Sequence, residues 1–463
     1  MREMFNDLIA GSPYWTEIRY HYRHLIGINI KNGKVHKAES KILAGAGVRC
    51  LVDGCWGFVA SSDLSRQGLE TAIKEAGEAA VIGGEIKREK IAGLASGEPA
   101  VGEFIYVEKS KEPSLEEKLS LFLKAEAKIR ENEQIVMGSV TYSRYDDRKI
   151  IVNSDGADAK INDLKQDLGV VAVARDESNR ETGTSSNGVT GSWDDLFAQK
   201  SLDEMVEEAV RIARQNLQAE YAPGGEYTVI LDPMLVGVLA HEAIGHTVEA
   251  DFVLSGSIVQ DKIGEKVASE LVTMIDDGTI EKTAGMVLVD DEGVCGKKTT
   301  IIEKGILREY LHNRESAYLF NAEPRGNARA FTYRDEPIVR MTNTCILPGE
   351  DELDDMIAEI DDGYYLKGLG QGGQADANAE FMFGVREAYH IKDGEVREPV
   401  KGITISGQAF KVLQSVDAAS KELQFALGRG YCGKFQPAKV DAGGPYLRCR
   451  VTLGGHQQAE GGE

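Results

Sequence analysis

No apolar run in this sequence approaches the roughly 20 residues that a membrane-spanning helix needs. The N-terminus, Met1-Arg2-Glu3-Met4-Phe5-Asn6-Asp7, lacks the basic segment followed by an apolar one that marks a secretory signal. These two absences lead to the expectation of a cytoplasmic protein with no membrane partner. Cysteine is sparse, and the six that occur (Cys50, Cys55, Cys295, Cys345, Cys432, Cys449) include no C-x-x-C pair. In a reducing compartment they are expected as free thiols, most of them buried as small hydrophobes, with one still available as a ligand. Positive charge is in short supply. Against 75 Asp and Glu stand 53 Lys and Arg, a net charge of −22. Nucleic acid and anionic membranes are held by basic patches, so neither is an expected partner. Internal repeats and blocks of like charge are missing too.

What remains is an ordinary globular composition. At 463 residues the chain is too long for one small core, which predicts two or three domains. Alternating and β-branched patterns predict strands over 17–30, 34–39 and 46–52, with turns at Asn32-Gly33 and Asp53-Gly54. A helix is expected over 65–82, ended by Gly83-Gly84, followed by a charged, Gly-rich linker over 85–112. Capping boxes at Ser114-Leu115-Glu116-Glu117 and Ser201-Leu202-Asp203-Glu204 open helices running to about 131 and 217. Between them lie predicted strands over 135–145, 149–153, 157–163 and 169–175. The Ser-, Gly-, Thr- and Asn-rich stretch 176–192 reads as a loop.

Tyr221-Ala222-Pro223-Gly224-Gly225 is the clearest boundary. Beyond it, strands are expected over 227–231, 286–290, 298–303, 306–311, 381–392 and 395–406, with turns at Asp291-Glu292-Gly293 and Lys304-Gly305. A short acidic helix is expected over 351–361, and the polar tail from His456 is expected to be disordered. The fold class is α+β: mixed or antiparallel sheets with flanking helices, then a β-rich C-terminal domain. The expected division is 1–90, 91–220 and 221–463.

The densest patch of acid/base and metal chemistry is His241-Glu242-Ala243-Ile244-Gly245-His246. Asp232 can cap and Pro233 suits the first helical position, so a helix leads into it. Leu235, Val236, Val238 and Leu239 make that helix buried rather than amphipathic. The familiar zinc-protease pattern, H-E-x-x-H, puts two histidines one turn apart. Here the spacing is one residue longer, and on a regular helix positions i and i+5 diverge by about 140°. Both imidazoles can meet one metal only if the helix bulges or ends between them. Gly245, just before His246, offers that freedom. The alternative is two core histidines with hydrogen-bonded nitrogens.

A catalytic zinc has three protein ligands and an open position for water. Glu249, three residues past His246, is either a third ligand or a carboxylate that orients an imidazole, and Asp251 follows it. Cys432, in Gly428-Arg429-Gly430-Tyr431-Cys432-Gly433-Lys434, is another candidate. Its flanking glycines permit close approach, and Arg429 and Lys434 would favour a thiolate. Glu242, next to a ligand, can take a proton from a metal-activated water as it attacks a carbonyl, then pass it to the leaving amine. The chemistry is metal-assisted hydrolysis, most simply of a peptide bond.

Several long motifs occur together and in order. They are Gly45-Ala46-Gly47-Val48-Arg49, Gly57-Phe58-Val59-Ala60, the His241-to-His246 segment with Glu249 and Asp251, Val289-Asp290-Asp291-Glu292-Gly293, and Pro337-Ile338-Val339-Arg340-Met341-Thr342-Asn343-Thr344. Gly372-Gly373-Gln374-Ala375-Asp376, Pro399-Val400-Lys401-Gly402 and Cys432-Gly433-Lys434 complete the set. Over nearly the whole chain this resembles the TldD/PmbA family of zinc metallopeptidases, on the TldD side. The resemblance implies one Zn2+ per chain held by His241, His246 and Cys432, with Glu242 as general base and Glu249 outside the ligand set. It implies cleavage of short or unfolded peptides with little sequence preference. It also implies a dimer, either a homodimer or a heterodimer with a PmbA-like paralogue lacking the metal motif. The sequence departs from the family at Lys434-Phe435-Gln436-Pro437, and Cys449 has no family role. An extended substrate adding to a sheet edge would take polar contacts from Arg340, Asn343 and Gln374, unless these serve turns or domain contacts. The alternative function is a non-catalytic, protein-binding regulator with a structural metal, since the family has carried the label of a DNA gyrase modulator. The intact His-Glu-His set weighs against it.

Overall fold

The structure, a computed structural model, describes residues 1–87, 89–107, 111–177, 179–375 and 379–455; the side chains of 371–375 lie outside that description. The alternating pattern of the first 60 residues yields longer strands than expected. β1 (Trp15–Lys31) and β2 (Lys34–Val52) pair from Trp15 opposite Leu51 to Lys31 opposite Lys34, with one register shift between Asn29 and Ile30. The expected strands 34–39 and 46–52 are therefore one, because β1 continues opposite the polar stretch between them. Asn32 and Gly33 take φ of 48° and 72°, the left-handed pair that a tight hairpin needs. β3 (Cys55–Ser61) follows the Asp53-Gly54 turn, and β4 (Val101–Ile105) lies in the expected linker. β5 (Ile135–Asn153) and β6 (Asp158–Arg175) each fuse two expected strands.

β7 (Arg180–Thr190) falls where a loop was expected, and it pairs antiparallel with β6. Its small residues serve helix packing rather than a turn: a Cβ on Gly183 would lie 1.9 Å from the Ala209 carbonyl oxygen. These strands form one sheet in the order β3-β2-β1-β5-β6-β4, with β7 also on β6. The strands of the stretches 1–90 and 91–220 thus share a single sheet.

Four helices accompany the sheet: α1 (Arg2–Ala10), α2 (Arg66–Ile86), α3 (Leu115–Ile129) and α4 (Leu202–Gln218). The capping boxes at Ser114/Glu117 and Ser201/Glu204 form as expected. Gly83-Gly84 does not end α2. A Cβ on Gly83 would sit 2.8 Å from Cys55 Sγ, so that glycine admits the cysteine instead. Ile18, Ile28 and Ile30 pack toward the helices. Their alternating neighbours Glu17, Arg19 and His21, which a half-exposed strand would show to solvent, are buried as well. Glu17 and Arg19 meet the turn Asp291-Glu292-Gly293, and His21 lies against Asp147. Arg49 bonds Glu17 (3.0 Å) and Glu292 (3.1 Å), Lys149 bonds Asp291 (2.8 Å), and Asn153 donates to the Glu292 carbonyl (3.1 Å). Burial alone would raise the Asp291 carboxyl, but Lys149 and Arg19 hold it below its ordinary value.

In the C-terminal half, Asp362–Ala375 pairs with Gly225–Leu231, which pairs with Leu447–Gly454, then Thr404–Gln408, then Glu380–Lys392. Glu380–Lys392 pairs back onto Asp362–Ala375, so these five strands close a ring. A second sheet runs Ile306–Leu307, Thr299–Glu303, Met274–Asp276, Asn343–Ile346, Asp441–Gly444, Gln424–Phe425. The expected strand over 286–290 is reduced to an isolated bridge between Val289 and Cys295. The expected strand over 395–406 is broken by Gly402 at φ 72°. The acidic helix is Leu353–Ala358, and the tail from His456 lies outside the described residues. The observed class is α+β, as expected. Among the described residues no helix is long and apolar enough to cross a membrane.

The helix Pro233–Val238 lies against both C-terminal sheets. Leu235, Val236 and Leu239 share one core with Ile346, Phe383 and Leu447. Contact with the second sheet is backbone to backbone: a Cβ on Gly237 would lie 2.5 Å from Gly443 N and 2.6 Å from the Ala442 carbonyl carbon. Gly237→Ala is therefore expected to destabilise the protein by about 1–3 kcal/mol, although alanine is the better helix former. Denaturant unfolding checks this, and an equal or raised midpoint would refute the close approach.

Candidate metal centre

Asp232 caps the helix by accepting from Leu235 N (2.9 Å), and its second oxygen accepts from Gly368 N (2.9 Å), which ties the helix start to the neighbouring strand. Past Val238 the helix widens. Residues Leu239–Gly245 form a π-turn, closed by a bond from His246 N–H to the His241 carbonyl. Residues five apart now stack on one face. The two imidazole centroids are 5.3 Å apart with the rings at 79°. The bulge expected near Gly245 is present, but the glycine is there for another reason. Its φ is −54°, an ordinary helical value, and a Cβ would lie 2.0 Å from Met341 Sδ. Gly245 supplies room rather than dihedral freedom.

Cys432 comes from a hairpin, Tyr431–Lys434 paired with Gln436–Lys439, in which it faces Ala438. Its Sγ is 3.1 Å from His246 Nε2. One donor atom each from His241, His246 and Cys432 lies within 4.8 Å of the other two. His241 is 1% exposed, and neither ring nitrogen has a hydrogen-bond partner. A buried imidazole with two idle nitrogens is costly unless something outside the protein satisfies it. This is not the hydrogen-bonded core histidine of the alternative reading. Two nitrogens and a sulfur fit a borderline-soft divalent cation.

The electrostatics agree. Burial raises the Cys432 thiol, but His241 and His246 beside it outweigh that and bring it down to about 5, favouring the metal-binding thiolate. Burial lowers His246, while Glu249 and Cys432 push it up to about 10. Arg429 and Lys434, expected to favour the thiolate, are otherwise engaged. Arg429 lies against Gly169, and Lys434 is spent on carboxylates.

Glu249 is fully buried. Its Oε2 accepts from His246 Nδ1 (2.8 Å) and Lys434 Nζ (3.1 Å). It orients the imidazole and is not among the converging donors. Glu242 stands at the rim, its side chain 39% exposed and Oε2 3.7 Å from His246 Nε2.

Arg340 and Asn343, candidates for substrate contact or for turn and domain contacts, are both engaged within the chain. Arg340, 1% exposed, donates to the carbonyls of Cys432 and Gln436 (both 2.6 Å), so it holds the cysteine hairpin from behind. Asn343 is buried and donates to the Asp277 carbonyl (2.7 Å). Gln374 lies on the strand Asp362–Ala375, and its side chain is outside the described residues. Cys449 is a buried core thiol, pushed up to about 12 by burial. All six cysteines are free, as expected. The sequence reading missed the roles of Lys434 and Met341. The signal for Lys434 was its position two residues past Cys432, which puts both on one face of a strand.

Profiles of three successive domains match the chain in order: PmbA/TldA metallopeptidase domain 1 over residues 16–80, the central domain over 108–217 and the C-terminal domain over 224–455. The chain belongs to the PmbA/TldA metallopeptidase family. A protein of Methanothermobacter thermautotrophicus named metalloprotease is 35% identical over 95% of this chain and 95% of its own length. A Saccharolobus solfataricus protein named zinc metalloprotease TldD homolog is 29% identical over 89% of this chain and 90% of its own. Among solved structures, a Thermotoga maritima protein described as a suggested modulator of a DNA gyrase superposes with a TM-score of 0.79. It is 21% identical, over 98% of this chain and 99% of that one, and the likeness speaks to the fold alone. As a metallopeptidase the chain is a hydrolase acting on peptide bonds.

The metallopeptidase's π-turn makes a sharp prediction. Gly245→Ala should destabilise the protein by about 1–3 kcal/mol and weaken metal uptake, because Met341 must move within a packed core. Adding Met341→Ala to Gly245→Ala should recover much of the metal uptake. A double variant no better than the single one would show that Gly245 matters for another reason.

Proposed function

We propose that this metallopeptidase holds one zinc ion per chain with His241, His246 and Cys432 and hydrolyses short or unfolded peptides with Glu242 as general base. The observation that carries the reading is the buried, unpartnered His241 ring converging with His246 Nε2 and the Cys432 thiolate. The zinc assignment is supported by the donor set and by the name of the Saccharolobus solfataricus relative. Bound there, zinc would supply Lewis acidity for water and for the scissile carbonyl.

The chain's own residues do the rest. His241 and His246 each offer a ring nitrogen, and Cys432 offers its sulfur. Glu242 is close enough to the histidine to serve the same pocket and exposed enough to meet water and substrate. Its carboxylate takes a proton from the attacking water and delivers it to the leaving amine. Among the described residues the converging set has three members, whereas a closed structural zinc site takes four. That count, and a carboxylate beside the open side, weigh against a non-catalytic binder. Main-chain recognition of an extended segment would account for short or unfolded substrates and weak sequence preference. The dimer, with a second copy or a paralogue lacking the metal residues, is supported by the family resemblance.

Glu242→Gln is expected to retain wild-type zinc content and to lose about 10²–10⁴-fold in peptide cleavage. Elemental analysis of the purified protein and cleavage of a quenched fluorescent peptide measure both, and full activity would remove Glu242 as the base. Cys432→Ser should lower zinc content. Unchanged content would reject that ligand, and wild-type cleavage persisting in chelator would reject metal dependence.

A further inference from the structure

Two parts of the chain nearly 200 residues apart form the metal centre, and one side chain joins them. Lys434 lies on the same strand face as Cys432, two residues on, and is buried. Its ammonium spends all three donors: on Glu249 Oε2 (3.1 Å), Asp251 Oδ1 (2.7 Å) and the Val339 carbonyl (2.9 Å). It also lies 4.3 Å from the centre of the Phe252 ring. Glu249, Asp251 and Phe252 all follow His246 directly. Glu249 in turn accepts from His246 Nδ1 (2.8 Å). With Nδ1 occupied as a donor, the ring's other nitrogen, Nε2, is turned to the pocket, where it lies 3.1 Å from Cys432 Sγ. A fully buried carboxylate needs opposite charge to remain there, and besides His246 itself the group within hydrogen-bond distance of it is the Lys434 ammonium. Arg340 is farther, its Nε 3.9 Å from Glu249 Oε1.

We infer that Lys434 is a positioning residue: through Glu249 it fixes the His246 ring with Nε2 facing the pocket, and it clasps the Cys432 hairpin to the segment that carries the histidines. This rests on the reading of His241, His246 and Cys432 as metal ligands. Lys434 is outside the proposed ligand set. Its effect is on where two of the three donors stand.

The test compares wild type, Lys434→Met, Lys434→Arg and Glu249→Gln as full chains. Zinc affinity is measured by competition with a chromogenic chelator, metal-free stability by thermal unfolding, and ligand geometry by the visible d–d bands of the cobalt(II)-loaded proteins. Lys434→Met and Glu249→Gln are expected to weaken zinc binding by about 10–100-fold and to alter the cobalt bands. Lys434→Arg, which keeps the charge, should recover part of the loss. A folded Lys434→Met or Glu249→Gln protein with wild-type zinc affinity and unchanged cobalt bands overturns the inference. So does loss of metal-free folding in both variants, because the pair would then serve the fold rather than the site. Failure of wild type to bind zinc or cobalt would instead overturn the metal-centre reading itself.

Discussion

The π-helical turn over Leu239–Gly245, which ends on the bond from His246 N–H to the His241 carbonyl, sets the geometry of the candidate metal centre. On a regular helix the two imidazoles would diverge by about 140°. The widened turn brings them to one face, and everything around it keeps the turn in place. Asp232 pins the helix start to the neighbouring strand. Gly237 lets the helix touch the backbone of Ala442 and Gly443, and Gly245 leaves room for Met341. A π-turn has poorer backbone geometry than an α-turn, so it persists only where packing on both sides over-determines it. Here the two C-terminal sheets do that.

The N-terminal sheet contributes to the same centre, although it supplies none of the proposed ligands. The hairpin that carries Cys432 rests on it. Tyr431 packs on Tyr145 with ring centroids 6.0 Å apart, its hydroxyl is 3.4 Å from Asp167, and Lys439 bonds Asp167. Gly188 lies so close to Gly428 that a Cβ would come within 2.2 Å of the Gly428 carbonyl oxygen. Nearby, the Asp291-Glu292-Gly293 turn plugs into the buried charges of β1, β2 and β5. Buried ion pairs add little net stability, since desolvation offsets their attraction, but a broken one is strongly unfavourable. Such a contact discriminates against misplaced dockings. It sets where the sheet stands, and thereby where the hairpin can stand.

Much of this was legible in the sequence where a local rule acts alone. The caps at Ser114, Ser201 and Asp232, the hairpin turns and the need for a bulge before His246 all follow from short-range chemistry. The misreadings share one cause, which is tertiary packing that reuses a local signal. Small polar residues in β7 read as a loop, yet they exist so that α4 can lie close. Gly83-Gly84 read as a helix stop, yet Gly83 admits Cys55. Alternation reports that two faces differ, but it does not say which partner covers the second face.

The distant cysteine has a consequence for how metal and fold are linked. A cation held by His241 and His246 alone would report only on one turn of helix. Adding Cys432 makes tight binding depend on the hairpin being docked, and the docked hairpin depends on Asp167 and Tyr145 in the N-terminal sheet. On the proposed ligand set, metal binding therefore draws on the whole chain rather than on a local motif. Its binding free energy stabilises the arrangement that creates the site. The same coupling bears on the cysteine itself: His241 and His246 favour its thiolate only when the hairpin has brought Cys432 beside them.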